Sequence, residues 1–188
     1  MNIKPHRIKS GYCFQLAFIF QILLLFGNSF GQDYIFQRLK IENGLSQSTV
    51  LSSLQDNEGY MWFATRSGLN RYDGYRFLVY SNDPKDPTSI SDDAINSIFE
   101  DRDGTIWAGT VNGNLNKFNR LTETFTYKNI SDFLDKTPEQ TDEFYAYPLN
   151  FSRNQNISIT TITEDASGNL WIGTWGNGAC LSPLSGTS

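Results

Sequence analysis

The chain has 188 residues, of which 39% are hydrophobic and 14% aromatic, with 20 Asp and Glu against 15 Lys and Arg. The resulting formal charge of -5 gives no basic face for nucleic acid. One His and two Cys leave little material for a catalytic triad or a zinc cluster.

The first segment reads as an export signal. Lys4, Arg7 and Lys9 precede an apolar run from Cys13 to Phe26, and Asn28-Ser29-Phe30-Gly31 follows with small residues where a signal peptidase inspects the chain. The run is about 14 residues, short of the roughly 20 that span a bilayer. Residues 1–31 are therefore predicted to be a signal peptide cleaved before Gln32, with an uncleaved membrane anchor as the rival. Cleavage removes three cations and no carboxylate, so the formal charge moves from -5 to -8. It also removes His6 and Cys13 and leaves Cys180 without a disulfide partner in the chain. Without His there is no Ser-His-Asp triad, no His-based metal helix and no phosphorylatable kinase His, and no Gly-x-x-x-x-Gly-Lys loop is present. No catalytic residue, metal ligand or cofactor site is expected. A carboxylate or Tyr mechanism stays open on these grounds.

Residues 32–188 repeat. Trp62, Trp107 and Trp171 each have a Gly three residues before (Gly59, Gly104, Gly168) and an Asp six before (Asp56, Asp101, Asp165). Each has a Thr three residues after (Thr65, Thr110, Thr174) and a β-branched residue twelve before (Val50, Ile95, Ile159). Repeats in step at this spacing define supersecondary units that cannot bury their apolar faces alone.

In chain order, Tyr34 to Lys40 reads as a lone fourth strand, with the rest of its blade expected at the far end of a longer ring. The first unit, about 48–80, predicts strands at Val50–Gln55, Tyr60–Thr65, Leu69–Tyr72 and Tyr75–Tyr80, parted by Asp56-Asn-Glu-Gly59 and Arg66-Ser-Gly68 turns. The second, about 93–128, predicts Ile95–Glu100, Thr105–Thr110, Leu115–Phe118 and Thr124–Lys128. A connection rich in Tyr, Phe, Pro and Asp, 129–156, separates it from the third, about 157–188. Connections of that length are binding loops or disordered. The third unit supplies Ile159–Glu164 and Leu170–Thr174. Four short antiparallel strands per unit predict an all-β fold, an incomplete β-propeller of four-stranded blades.

The motif Gly44-Leu-Ser, Val50, Asp56-x-x-Gly59-x-x-Trp62-x-x-Thr65-x-x-Gly68-Leu-Asn-Arg-Tyr-Asp73 closely resembles the two-component regulator propeller repeat. So does Ile162-x-Glu-Asp-x-x-Gly168-Asn-Leu-Trp-Ile-Gly-Thr174-Trp-Gly-Asn-Gly178. The second copy carries one extra residue at Gly113-Asn-Leu115, and the third has Ala179-Cys180 in place of Asn-Arg, which leaves its third strand open. The resemblance implies the periplasmic sensor part of a hybrid histidine kinase, membrane-anchored through parts beyond these residues. It implies further blades of the same parent chain as partners, admits a homodimer of the intact sensor, and places the kinase chemistry outside this segment.

The three repeated Trp residues are expected in the core, since each buries about 150–250 Å², worth on the order of 4–6 kcal/mol at roughly 25 cal/mol/Å². The Asp-rich turns are too short for calcium loops, which need about 12 residues. Trp175 stands outside the frame, in the loop Trp175-Gly-Asn-Gly178, and is either a wedge against a next blade or a ligand-facing aromatic. Arg66 and Asn112 occupy related second-to-third strand loops. In an antiparallel meander these loops share a face with the connections between blades. Trp175, Arg66, Asn112 and Asn177 are therefore the candidate ligand-binding residues, and an oligosaccharide is the expected ligand. A propeller lyase or hydrolase, and a scaffold propeller that binds only proteins, are the alternatives.

Overall fold

The computed structural model describes residues 35–134, 145–146, 157–176 and 178–183. The predicted signal peptide lies outside the described residues. Three four-stranded antiparallel sheets follow one another, each a propeller blade. Blade one is β1 (Val50–Gln55), β2 (Met61–Thr65), β3 (Gly68–Tyr72) and β4 (Phe77–Tyr80), in that order across the sheet. Blade two is β5 (Ile95–Glu100), β6 (Ile106–Thr110), β7 (Asn114–Asn119) and β8 (Thr124–Asn129), also in sequence order. A single helical turn, α1 (Ser131–Leu134), follows β8.

Blade three departs from this order. Its strands β10 (Ser158–Glu164), β11 (Asn169–Trp175) and β12 (Ala179–Pro183) are joined at the outer edge by β9 (Tyr145–Ala146), which comes from within the 129–156 connection. β9 pairs antiparallel with β12 through Cys180↔Ala146 and Leu181↔Tyr145. It takes the place and direction that β4 and β8 hold in their own blades. The third strand of this blade, uncertain in sequence at Ala179-Cys180, forms and pairs with β11 from Asn169↔Pro183 to Gly173↔Ala179.

The fourth strand expected at Tyr34 to Lys40 has its expected partners in a blade beyond these residues, and Tyr34 lies outside the described residues. Ile35 to Lys40 pair with no strand among the described residues, and Ile35 and Phe36 are almost fully exposed. A 3-10 turn at Ile41–Asn43 follows, ended by Gly44 in the left-handed region.

The repeated frame has one mechanical explanation in all three blades. Asp56 accepts the N–H groups of Glu58 and Tyr60 on one oxygen, and the Trp62 indole N–H on the other at 2.7 Å. Asp101 does the same for Asp103, Thr105 and the Trp107 indole at 2.8 Å. Asp165 does so for Ser167, Asn169 and the Trp171 indole at 3.0 Å. The Asp thus ties the turn between the first and second strands to the Trp six residues on. Gly59, Gly104 and Gly168 close these turns at φ between 80° and 92°, a region that favours glycine. The repeated Thr holds the opposite turn: Thr65 and Thr174 hydroxyls donate to the Gly68 and Gly178 carbonyls, and Thr110 accepts the Asn114 N–H.

The core lies between blades. Trp62, Ala64 and Leu69 of blade one pack with Ile95, Ile98, Ile106, Ala108, Phe118 and Phe125 of blade two. Trp107 and Leu115 of blade two pack with Ile159, Ile162, Leu170, Ile172 and Cys180 of blade three. Trp62 also meets the Phe118 ring edge-on at 5.2 Å. Both interfaces are clamped at the rim by the same polar contact. Glu100 accepts the Asn57 N–H, and Glu164 accepts the Arg102 N–H, so each blade grips the turn of the blade before it.

Candidate functional site

The turns between second and third strands share one face with the connections between blades. The Gly68 N–H donates to the Asp93 carbonyl, the Asn112 amide to the Asp92 carboxylate, and the Ile130 N–H to the Gly113 carbonyl. Turn and connection can meet in this way only if they emerge on the same side of the sheets.

Arg66 is exposed in blade one's turn, with its backbone N–H held by the Gln47 side chain at 3.0 Å. Asn112 is exposed in the equivalent turn of blade two and is fixed at both ends. Its amide reaches Asp92, and its carbonyl accepts from Asn129 at 3.0 Å. Trp175 ends β11 rather than lying beyond it, paired opposite Ser158. It is 77% exposed, whereas Trp62 is fully buried and Trp107 is 9% exposed. Asn177 lies outside the described residues. Three of the four candidates therefore come from three separate blades and share a face.

Sequence reasoning missed two polar residues on this face. Asn96, on β5, donates its amide to the Ser158 hydroxyl at 2.7 Å, bridging blade two to the strand beside Trp175. Asp92 supplies the carboxylate that orients Asn112. Asn96 could have been noticed as a polar residue directly after the β-branched start of the first strand.

A second missed pair is structural. Asn70 and Asn116 are fully buried on β3 and β7. Each amide oxygen accepts the backbone N–H of the segment entering its blade, Ser46 at 2.8 Å and Ser91 at 2.9 Å. In blade three the equivalent place, opposite Ile172, holds Cys180. It is a free thiol that burial pushes up to about 11. Asn129, in the Asn-x-Ser triplet 129–131, spends its amide on the Asn112 carbonyl and the Asn114 side chain and accepts from Ser131. That triplet serves as a turn.

Electrostatics around the turns favour ionised carboxylates. Burial opposes ionisation of Asp56, but hydrogen bonds from Trp62 and Arg120 hold its carboxyl below the usual range. Asp165 is held well below that range by Asn169, first through its side chain and then its backbone, and by Trp171. Among the described residues no group of three or more His, Cys, Asp or Glu is placed to hold a metal ion.

The two-component regulator propeller family model matches residues 44–67, 89–112 and 152–176, one match on each blade. The chain carries two-component regulator propeller repeats. Each matched segment includes the first strand, the Asp turn and the Trp and ends at the turn before the third strand. A 73-residue stretch is 40% identical to histidine kinase P4 of Formosa agariphila, covering 39% of this chain and 5% of that kinase. Two solved structures of extracellular domains of hybrid two component systems from B. thetaiotaomicron are similar. One is 33% identical over 74% of this chain with a TM-score of 0.56, and the other is 25% identical over 78% with a TM-score of 0.52. This chain spans 18% of each of those domains. The repeats are thus of a kind found in extracellular sensor domains of hybrid two-component systems.

Proposed function

We propose that this chain is a ligand-sensing segment of the exported sensor of a hybrid histidine kinase, and that its ligand is an oligosaccharide. The regulator propeller repeats and the extracellular neighbours support the sensor reading. The observation that carries the ligand face is Trp175. Three of the four tryptophans in the chain sit in the repeated frame and bond an Asp, and the fourth presents its ring to solvent at the edge of the face.

Sugars offer apolar ring faces edged by hydroxyls. An exposed indole stacks on the former, while the Asn112 amide, the Asp92 carboxylate and the Arg66 guanidinium are suited to the latter. Nothing in this reading needs a reaction on the ligand: the segment binds, and the kinase chemistry belongs to other parts of the parent. Membrane attachment likewise belongs to those parts.

Isothermal titration of the intact sensor domain with a panel of neutral and acidic oligosaccharides tests the reading. Binding that weakens in Trp175→Ala at unchanged melting temperature is the expected result. Binding that is indifferent to Trp175→Ala removes the residue from the site. Failure of every glycan, together with capture of a protein partner through the same face, replaces the ligand class with the scaffold alternative.

A further inference from the structure

The first strand of every blade carries a bulge at the same place. The register slips between Val50 and Ser52, between Ile95 and Ser97, and between Ile159 and Thr161. The extra residues are Leu51, Asn96 and Thr160. A bulge breaks the alternation of a strand and re-aims one side chain. In blade two the flanking residues are buried, Ile95 fully and Ser97 nearly so, while Asn96 between them is only half-buried. Asn96 is therefore turned out of the packed seam.

Its amide crosses from blade two to the Ser158 hydroxyl of blade three at 2.7 Å. Ser158 stands directly opposite Trp175 in the β10–β11 ladder. Residues paired in this way lie on one side of a sheet, with Cβ atoms about 5 Å apart. An amide, a hydroxyl and an indole are thus gathered at one end of a seam whose two blades both lie within the chain. The same three places at the seam between blades one and two hold Leu51, Ala94 and Val111. There the Val111 N–H donates to the Ala94 carbonyl at 3.0 Å, and the three side chains have no polar atom to bond. That seam packs all the same, so the fold does not require a polar bridge at this place. Arg66, at the Trp175 place of blade one, is exposed although blade two follows it. The place therefore stays open to solvent beside a following blade.

We propose that Asn96, Ser158 and Trp175 form one subsite for a neutral sugar ring, an inference that rests on the oligosaccharide reading of this face. The indole covers the apolar side of the ring. Asn96 spends one N–H on Ser158 and keeps a second N–H and its amide oxygen, and the Ser158 hydroxyl keeps its own proton to donate. A donor and an acceptor on one planar group match two adjacent hydroxyls of a sugar. None of the three side chains carries a charge. The connection entering blade two brings the carboxylates of Asp92 and Asp93 to the same face. A uronate or a sulfated sugar would meet like charge from them.

The test is isothermal titration of the intact sensor domain with two sets of probes, neutral xylan, mannan and glucan oligosaccharides and acidic oligogalacturonates, with a melting curve for every variant. Asn96→Leu and Ser158→Ala install residues that the seam between blades one and two already accommodates, so both variants are expected to fold. Each is expected to weaken binding of a neutral oligosaccharide about tenfold, as for one lost hydrogen bond, at unchanged melting temperature. Leu51→Ala, at the same place of blade one, is expected to leave binding unchanged. Asn96→Asp keeps the shape and loses the donors, and it serves where Asn96→Leu melts early; it too should weaken the neutral probe. Weakening by Trp175→Ala with indifference to every change at Asn96 and Ser158 overturns the subsite and leaves the oligosaccharide reading standing. Tighter binding of oligogalacturonate than of any neutral probe overturns the neutral class. Failure of both probe sets overturns the subsite together with the oligosaccharide reading.

Discussion

Arg120, in the outer hairpin of blade two, reaches across to the Asp56 carboxylate of blade one at 2.8 Å, while the same guanidinium meets Glu100 at 2.9 Å and Glu58 at 3.3 Å. The Asp56 side chain is fully buried and already accepts the Trp62 indole N–H. One cation therefore bridges three carboxylates at a seam between blades and steadies the Asp that holds the Trp filling the seam. Removing it leaves a buried charge without its partner, which is the costly half of a salt bridge to lose. Arg120→Ala is expected to destabilise by about 3 kcal/mol, the low end of the roughly 3–5 seen for such breaks, because Trp62 still donates. Denaturant melts of the variant beside the wild type measure it. Arg120→Lys, which keeps the charge but not the fork, should recover only part of the loss.

Gly109 lies in the seam between blades two and three, against Ile159. A Cβ built there would lie 2.3 Å from the Ile159 Cγ2 atom and 2.6 Å from the Ser97 hydroxyl. Blade one holds Ala64 and blade three Gly173 at the same position, so the site is small in every blade, and a Cβ added at Gly173 would also lie too close, 2.5 Å from the Thr161 Cγ2 atom. Gly109→Ala is expected to cost about 1–3 kcal/mol by overpacking. Thermal melts check this, and Gly109→Ala combined with Ile159→Ala, which removes the clashing Cγ2 atom, should cost less than the sum of the two single changes if the clash is the cause.

What was legible in the sequence, and what was not, follows from the kind of constraint. The Asp, Gly, Trp and Thr positions are held by local turns and by a bond six residues long, so they recur at fixed spacing and are readable. The buried Asn70 and Asn116 perform one task in two blades, but the residue inserted before Leu115 puts them eight and nine positions after their Trp. The periodicity is broken although the geometry is kept. β9 was invisible for a different reason. Tyr145–Ala146 has no turn signal and no repeat partner, and its place in blade three is set by the free edge of β12. Of the proposed ligand face, Arg66, Asn112 and Trp175 could be placed from the meander alone, whereas Asn96 and Asp92 act through contacts between segments distant in sequence.

The depressed carboxyls of Asp56 and Asp165 predict the response to acid. A carboxyl with a folded-state value below its unfolded one binds protons more readily when unfolded. Its contribution is complete above the ordinary value of 3.8 and is lost as the pH falls through the lower folded value. Melting temperature is expected to hold steady through neutral pH and to drop below about pH 4. Asp165→Asn, which keeps an acceptor for Trp171, should flatten the part of that drop belonging to blade three. A drop that begins near pH 6 would point to other groups.

Cys180 reports on blade three. Its thiol is buried and its ionisation is pushed up to about 11 by burial alone. The thiolate is the reactive form, so the native thiol should be inert near neutral pH. Labelling with a thiol reagent is expected to proceed at the rate at which β12 opens, and to accelerate in denaturant in step with loss of the blade. Prompt stoichiometric labelling of the folded chain would mean that β12 is not held as described.

The two kinds of tryptophan separate fold from recognition. Trp107 sits 9% exposed in the seam between blades two and three, with its indole on Asp101 and the Lys117 ammonium 5.5 Å from its ring. Trp107→Ala is expected to cost about 3–5 kcal/mol, the range for truncating a buried Trp or Phe. It also leaves Asp101 without an indole donor. Trp175 is 77% exposed, and its truncation should change stability by no more than about 0.5 kcal/mol, as for most surface substitutions. Chemical denaturation of both variants in the same sensor domain gives the comparison. Equal losses would show that Trp175 is packed against a neighbouring element and serves the fold. A large loss at Trp107 with near-silence at Trp175 would separate the indole that serves the fold from the one proposed to serve recognition.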